Sequence, residues 1–379
     1  MKSVLYIGGF ELPDKNAAAQ RVMANAKILR EIGCEVSFIG VSKDLANAPK
    51  EVDGFKSNPV TYPTNVKEWV RQIVTFMDMK EILNGNVDCV ILYNFPSIAS
   101  LKILWACHKK GIKVFHDLTE WESSIGWSFR EIIRKLDIFV RMHCAVPRMD
   151  GLITISRYLY DYYKKSTFCV MVPPLVNLSD AKWNRERTLT AGDPIRLVYA
   201  GTAGFGNKDR LDFVLGALKG KRGIALTVIG MTKAEYEGGY GKVVPEDVDV
   251  EFKGRLPHLE AVRIVQESDF QILVRESNLK NNAGFPTKLV ESFACCTPLV
   301  ANLTSNIGDY LKDGVNGIVV PDLASLPQVF DRIAQLPKTE ILSMKEACRK
   351  VDSFDYRNYK EELTKLLNCD GQKSHKGLC

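Results

Sequence analysis

Residues 275–303, RESNLKNNAGFPTKLVESFACCTPLVANL, read as the end of a buried strand, a loop, a helix entered through Gly284, Phe285 and Pro286, and a second strand after Thr297-Pro298. Proline suits a first helical position, because its missing N–H would be unpaired there anyway. Phe285, Leu289, Val290, Phe293 and Ala294 fall on one helical face, which predicts packing on a sheet. Lys288 is predicted in the first turn, where the helix dipole disfavours a cation by about 0.3–1 kcal/mol. No carboxylate in that turn relieves it. A helix N-terminus preceded by glycine, with Thr287 and a lysine beside it, is suited to holding a phosphate. Glu291, one turn on, tilts back towards the same end and can accept hydrogen bonds from a ribose. The plainer alternative is an amphipathic helix carrying a Lys288–Glu291 surface pair.

AGFPTKLVESFACCTPLVAN, followed by GDYLKDGVNGIVV, resembles the donor-site motif of retaining glycosyltransferases of family four (glycosyl transferases group 1). The AGFPTK form resembles a bacterial surface-polysaccharide branch. The resemblance implies an α/β chain of the GT-B fold, with two Rossmann-like domains facing across a cleft. Members usually carry two glutamates eight apart, the first on the donor sugar and the second on the nucleotide ribose. Glu291 matches the second, and Ala283 stands where the first belongs.

The 379 residues suffice for two α/β domains. A hydrophobic fraction of 46% with 25% charged residues is globular composition rather than disordered. The net charge of +6 is modest for this length, so nucleic acid is not expected as a partner, while anionic lipid or phosphorylated substrates fit. Ten cysteines are scattered without a Cys-x-x-Cys pair, which predicts reduced thiols in a cytoplasmic protein and no zinc site. The chain opens on a strand, so no signal peptide is expected, and no run reaches the roughly 18 apolar residues of a membrane span.

Residues 4–7 are predicted as a buried strand ending at Gly8-Gly9, before a helix at 17–31 and a strand at 35–41, the opening of a Rossmann-like half. The Gly8-Gly9 pair permits close approach of backbone to a ligand, with Gly9 as the candidate contact. Arg21 is placed to reach an anion or the acceptor, or to be a solvated helix arginine. Strands at 89–92 and 114–116 flank a helix at 97–109, and ligands bind at the carboxyl ends of such strands. His116 occupies one of those ends, where a neutral imidazole can bond a sugar hydroxyl or a leaving phosphate. By resemblance it matches the family's active-site histidine. Asp117 and Glu120 are candidate acceptor contacts. Residues 127–147 form a basic amphipathic segment, and 67–83 are a second of the same type. Each fits either a core-facing helix with solvated cations or a membrane-surface helix. A strand at 150–155, a helix capped by Ser156 and a strand at 169–172 complete this half.

Residues 177–194 are polar and aperiodic, and read as the interdomain linker. The N-terminal domain is therefore set at 1–178 and the nucleotide-sugar domain at 179–355. A last helix at about 356–369 crosses back by resemblance, and 370–379 are expected to be a disordered tail. In the second domain a strand from 195 leads through GTAGFGNKD to a helix at 209–218, a plausible phosphate cradle. The resemblance assigns Lys208 to the diphosphate. Thr202 stands at the family's usual arginine position, with Arg210 as substitute. Strands at 225–229 and 250–253 and a helix at 260–268 follow. The strand 270–275 ends at Arg275, a candidate contact for base or phosphate, while Asp247-Val248-Asp249 precedes a strand and reads as a solvated turn. Helices are predicted at 325–335 and 338–351.

The expected function is transfer of a sugar from a nucleotide-sugar to a saccharide or lipid-linked acceptor, with retention. His116, Lys208 and Lys288 are the candidate catalytic groups, and neither metal nor cofactor is expected. A nucleotide-sugar epimerase of the same fold, or a non-catalytic nucleotide-sugar binder, are the alternatives.

Overall fold

Apolar runs without alternation, such as those of Lys2–Gly8, Cys89–Tyr93 and Phe270–Leu273, suit strands covered on both faces, as in parallel sheets. The computed structural model, which describes residues 1–13, 16–83, 85–122, 126–201 and 208–370, builds two such sheets. The chain divides into two compact units. The first is Met1–Leu175 with Ala283–Phe285 and the described residues from Asp355, and the second is Val176–Asn282 with Pro286–Phe354.

In the first unit eight strands lie in the order Cys169–Met171, Gly151–Thr154, Lys113–Leu118, Cys89–Tyr93, Lys2–Gly8, Cys34–Ile39, Phe55–Ser57, Glu51–Val52. All pair in parallel except the last, which runs antiparallel. The helix Ala17–Glu31 starts where the Asn16 side chain accepts from the Ala19 N–H at 2.8 Å, and buries Val22, Ala26 and Leu29 in this unit's core. Each such apolar side chain contributes about 1.5–3 kcal/mol on burial. The last helix, Lys360–Asn368, adds Leu363, Leu366 and Leu367 to the same core. Of the expected tail only Asp370 lies within the described residues.

The second unit orders its strands Val250–Gly254, Ile224–Ile229, Ile195–Ala200, Phe270–Leu273, Leu299–Asn302, Gly317–Val320, all parallel. The chain reverses its direction of travel across the sheet between Ile195–Ala200 and Phe270–Leu273. In open α/β sheets a ligand binds outside the carboxyl ends of the strands at such a point.

Three sequence expectations need correction. The segment 67–83 is not one helix: it breaks into Val66–Val74 and Lys80–Leu83, because Phe76 and Met77 turn into the interior between them. The segment 177–194, read as polar, aperiodic linker, packs as part of the second unit. Trp183 is buried, its indole donates to the Asn177 carbonyl at 2.9 Å, and Gln266 bonds the Trp183 carbonyl at 2.6 Å. Arg185 and Arg187 bond the terminal carbonyls Cys348 O and Cys295 O of two helices, the role cations take at C-termini. Pro286 precedes rather than opens its helix, Thr287–Ala294, as the N-cap residue. A helix at Lys233–Tyr240, closed by a capping box between Thr232 and Glu235, and a short one at Leu279–Ala283 went unread in the sequence.

Candidate functional site

Asp209 gathers the site of the second unit. It lies two residues before the helix Leu211–Leu218 and forms an antiparallel bridge with Arg275 at the reversal point. The Arg210 amide donates to the Val274 carbonyl at 2.7 Å and fixes that approach. The Asp209 carboxylate is buried and accepts from Arg275 Nε at 2.5 Å, from Tyr199 Oη at 3.0 Å and from Lys288 Nζ. The Lys288 ammonium also lies 4.7 Å from the Tyr199 ring centroid. Asn302, at the end of the neighbouring strand, clasps Arg275 from behind: its Oδ1 accepts from the Arg275 amide at 2.9 Å and its Nδ2 donates to the Arg275 carbonyl at 2.6 Å.

Two cations around one carboxylate leave one positive charge in a buried setting. Burial alone would raise the Asp209 carboxyl, but Lys288 and Arg275 outweigh it and hold the group well below the usual range. Burial pulls the Lys288 ammonium downward, opposed by Asp209 and reinforced by Arg275. Gly201 makes room for this arrangement, since a Cβ there would lie 2.6 Å from Lys288 Nζ. Lys288 stands in the first turn of Thr287–Ala294, and no side chain caps that turn. Glu291 sits one turn on, its carboxyl raised by burial while Lys288 and Lys182 pull it down.

This changes the reading of Lys288. Its own turn holds no carboxylate, as the sequence says, but Asp209 supplies one from another segment. Arg275 is likewise engaged with Asp209. Arg210 is bound to carboxylates, bidentate to Asp212 at 2.9 Å and to Glu276, so it is no spare replacement for an arginine at 202. Thr202 lies outside the described residues, and Lys208 is half-buried immediately before Asp209. Gly284, Phe285 and Pro286 are buried at the entry to the helix, and Thr287 opens it half-buried. Ala283 closes the short preceding helix, also buried.

In the first unit the structure gives most of the candidate residues partners of their own. Arg21 is neither solvated nor aimed at a ligand: its guanidinium binds Asp117 at 2.7 and 2.9 Å and the carbonyls of Val172 and Pro173 at 2.9 and 3.1 Å. Asp117 is consumed by the same network, accepting also from Tyr6 Oη at 2.5 Å and Asn25 Nδ2 at 3.2 Å. His116 is fully buried, with Nε2 accepting from the Phe95 amide at 3.3 Å. Burial and the nearby Arg141 lower its pKa to about 3, so the imidazole is neutral as expected but faces the interior. Gly9 is exposed with open space around its Cβ direction, whereas a Cβ at Gly8 would lie 2.7 Å from the Tyr93 carbonyl. Glu120 stays half-exposed at a strand's carboxyl end, within 3.5 Å of Asn94 Nδ2. Asn94 itself, at φ 39°, accepts from the Thr119 amide at 3.0 Å and joins that edge. Among the described residues no group of three or more His, Cys, Asp or Glu is assembled to hold a metal, and no disulfide joins any of the nine cysteines.

The chain shares its fold with solved proteins. It is similar to sucrose-phosphate synthase from Thermosynechococcus elongatus, with a TM-score of 0.72, 15% identity and coverage of 97% of this chain and 98% of that one. Anabaena HepE in complex with UDP and glucose gives a TM-score of 0.66 at 10% identity, over 97% and 99% of the two chains. The lipopolysaccharide outer core galactosyltransferase WaaB gives 0.64 at 15%, over 96% and 99%. Likeness at these identities establishes the fold: it is GT-B, with two Rossmann-like domains. Residues 194–336, which contain the Asp209 cluster, match the family model described as glycosyl transferases group 1. No curated protein matches the sequence.

Proposed function

We propose that the chain is a retaining, metal-independent glycosyltransferase of family four. It moves a sugar from a nucleotide-sugar to a saccharide or lipid-linked acceptor in cell-surface polysaccharide synthesis, at the cytoplasmic face of the membrane. One observation carries this reading: Lys288 and Arg275 converge on one carboxylate at the reversal point of the sheet, beside an uncapped helix N-terminus, within the segment that matches the group 1 model.

Departure of the nucleoside diphosphate develops negative charge on its oxygens. Lys288, Arg275 and the first-turn amides present positive charge there, already oriented, in a setting of low dielectric. Lys208, next to Asp209 in the chain, adds a further cation. Asp209 acts as a positioning residue: it holds both cations in place before the donor arrives, and the diphosphate then competes for them. Glu291 receives the ribose hydroxyls. Ala283 offers no carboxylate to the sugar, so backbone groups near Gly284 take that role. Glu120 and Asn94 form the acceptor edge.

The test begins with melting temperatures in UDP, GDP, ADP and CDP sugars. A donor at about 100-fold its dissociation constant adds ~2.7 kcal/mol of stability. The stabilising donor is then incubated with oligosaccharide and lipid-linked acceptors, with and without EDTA. A glycoside product that keeps the donor's anomeric configuration and persists with EDTA is the expected result. An epimerised nucleotide-sugar, or no turnover of a donor that binds, excludes the proposal in favour of an epimerase or a binding protein.

A further inference from the structure

The helix Phe129–Val140 in the first unit buries only Ile138 completely. Its large apolar side chains point outward instead: Trp127 is 87% exposed, Phe129 74%, Leu136 60% and Phe139 60%, with Ile132 at 42%. Positions 129, 132, 136 and 139 recur at helical spacing, so they form one stripe along one face. A soluble chain left to itself would turn such a stripe inward, and contiguous exposed apolar surface marks an interaction site.

A second helix lies beside it. Val66–Val74 buries only Ile73 completely, exposes Val66 and Val74, and meets the first helix where the Arg130 guanidinium lies 5.7 Å from the Trp69 ring. The two helices carry five cations, Lys67, Arg71, Arg130, Arg134 and Lys135, against three carboxylates, and of the cations Arg134 pairs with Glu122 just outside the helix. Two of those carboxylates are tied down locally, Asp137 to Ser97 at the start of the neighbouring helix and Glu68 to Thr64. Lys135 Nζ sits 4.5 Å from the Trp127 ring, and Trp127 is at the helix entry. Exposed tryptophan, an aliphatic stripe and cations on long stems are the combination that partitions into a lipid interface, with the rings at headgroup depth and the charges on phosphates.

We infer that the Phe129–Val140 and Val66–Val74 helices form a docking surface for an anionic lipid bilayer, lying in its interface without crossing it. No helix among the described residues is long and apolar enough to cross. The charge complementarity selects an anionic membrane over a neutral one, and the inference stands apart from the donor chemistry.

The experiment is co-sedimentation of the full chain with vesicles of phosphatidylcholine alone and of equal parts phosphatidylcholine and phosphatidylglycerol, in low salt and in about 1 M salt, where the screening length falls to ~3 Å. Binding is expected to the anionic vesicles only, and to fall in high salt. Phe129→Glu with Leu136→Glu is expected to weaken binding at least tenfold, and Lys67→Ser with Arg130→Ser by about fivefold per charge removed. These side chains are exposed, so melting temperatures and nucleotide affinity should match the parent's and separate loss of docking from loss of fold. Equal binding to both vesicles, binding to neither, or a parent dimer that Phe129→Glu with Leu136→Glu converts to monomer by light scattering would overturn the assignment. The last of these would make the stripe a contact between copies of the chain.

Discussion

The Asp209 cluster holds two cations on one carboxylate, so removing a cation leaves a matched pair, whereas removing the carboxylate leaves two cations unpaired. From the sequence, Lys288→Ala relieves an unfavourable dipole and leaves the unliganded protein as stable or more so. With Asp209 in contact, the same change strips the buried carboxylate of one of two cations. It should cost about 1–3 kcal/mol, below the ~3–5 kcal/mol of a fully orphaned charge because Arg275 remains. Adding Asp209→Asn should deepen that loss, because it leaves the buried Arg275 guanidinium without its carboxylate, and chemical denaturation of the parent and the two variants measures both steps. His116 gives a second handle. An ordinary histidine takes a proton near 6.5, whereas the buried ring does so only at about 3. Between those values the unfolded chain holds a proton that the folded one lacks. Stability therefore falls as pH falls through that window, by up to about 1.4 kcal/mol per pH unit. His116→Gln should flatten the fall between pH 6.5 and 4, read from denaturation midpoints, and an unchanged slope would place the acid sensitivity elsewhere. Lys288 and Glu291 were legible in the sequence because a helix fixes their relation to its own N-terminus. Asp209 was not, because its partners stand 66 and 79 residues away and only the sheet brings them together.

At the scale of the element, most helices and strands follow from local pattern: Asn16, Asn65 and Ser156 accept hydrogen bonds from the first turns of their helices, and the parallel strands read as unbroken apolar runs. The failures share one cause, a side chain whose burial overrides the local pattern. Phe76 and Met77 break a helix that periodicity alone would continue to 83. Trp183 turns a polar, aperiodic stretch into a strap across the second unit, packed with Val198, Ile229 and Ala294. Trp183→Ala should therefore lower stability by about 3–5 kcal/mol, as for a core aromatic, where a linker residue would change it by less than ~0.5 kcal/mol. Urea unfolding followed by circular dichroism separates the two. The amphipathic segment at 127–147 was visible as such, but sequence could not say which face meets the core, since apolar residues occur all round the helix. Exposure of Phe129, Leu136 and Phe139 answers that.

For the molecule as a whole, the GT-B architecture was legible because each half repeats the strand-loop-helix-strand grammar and because 275–320 carry a recognisable motif. In the first unit, His116 and Asp117 near a strand's carboxyl end and Arg21 in the first helix spend their polar groups on one another or on backbone. Strand-end position is readable in a sequence, and side-chain commitment is not. The account rests on the Lys288–Asp209–Arg275 cluster as the place that receives the diphosphate. Isothermal titration calorimetry of the parent and Lys288→Ala, using whichever of UDP, GDP, ADP or CDP stabilises the parent, tests that most directly. A charge-assisted contact is worth roughly 1.5–3 kcal/mol, so affinity should fall about tenfold to hundredfold in a variant that circular dichroism shows to be folded. Equal dissociation constants for the two proteins would contradict the account.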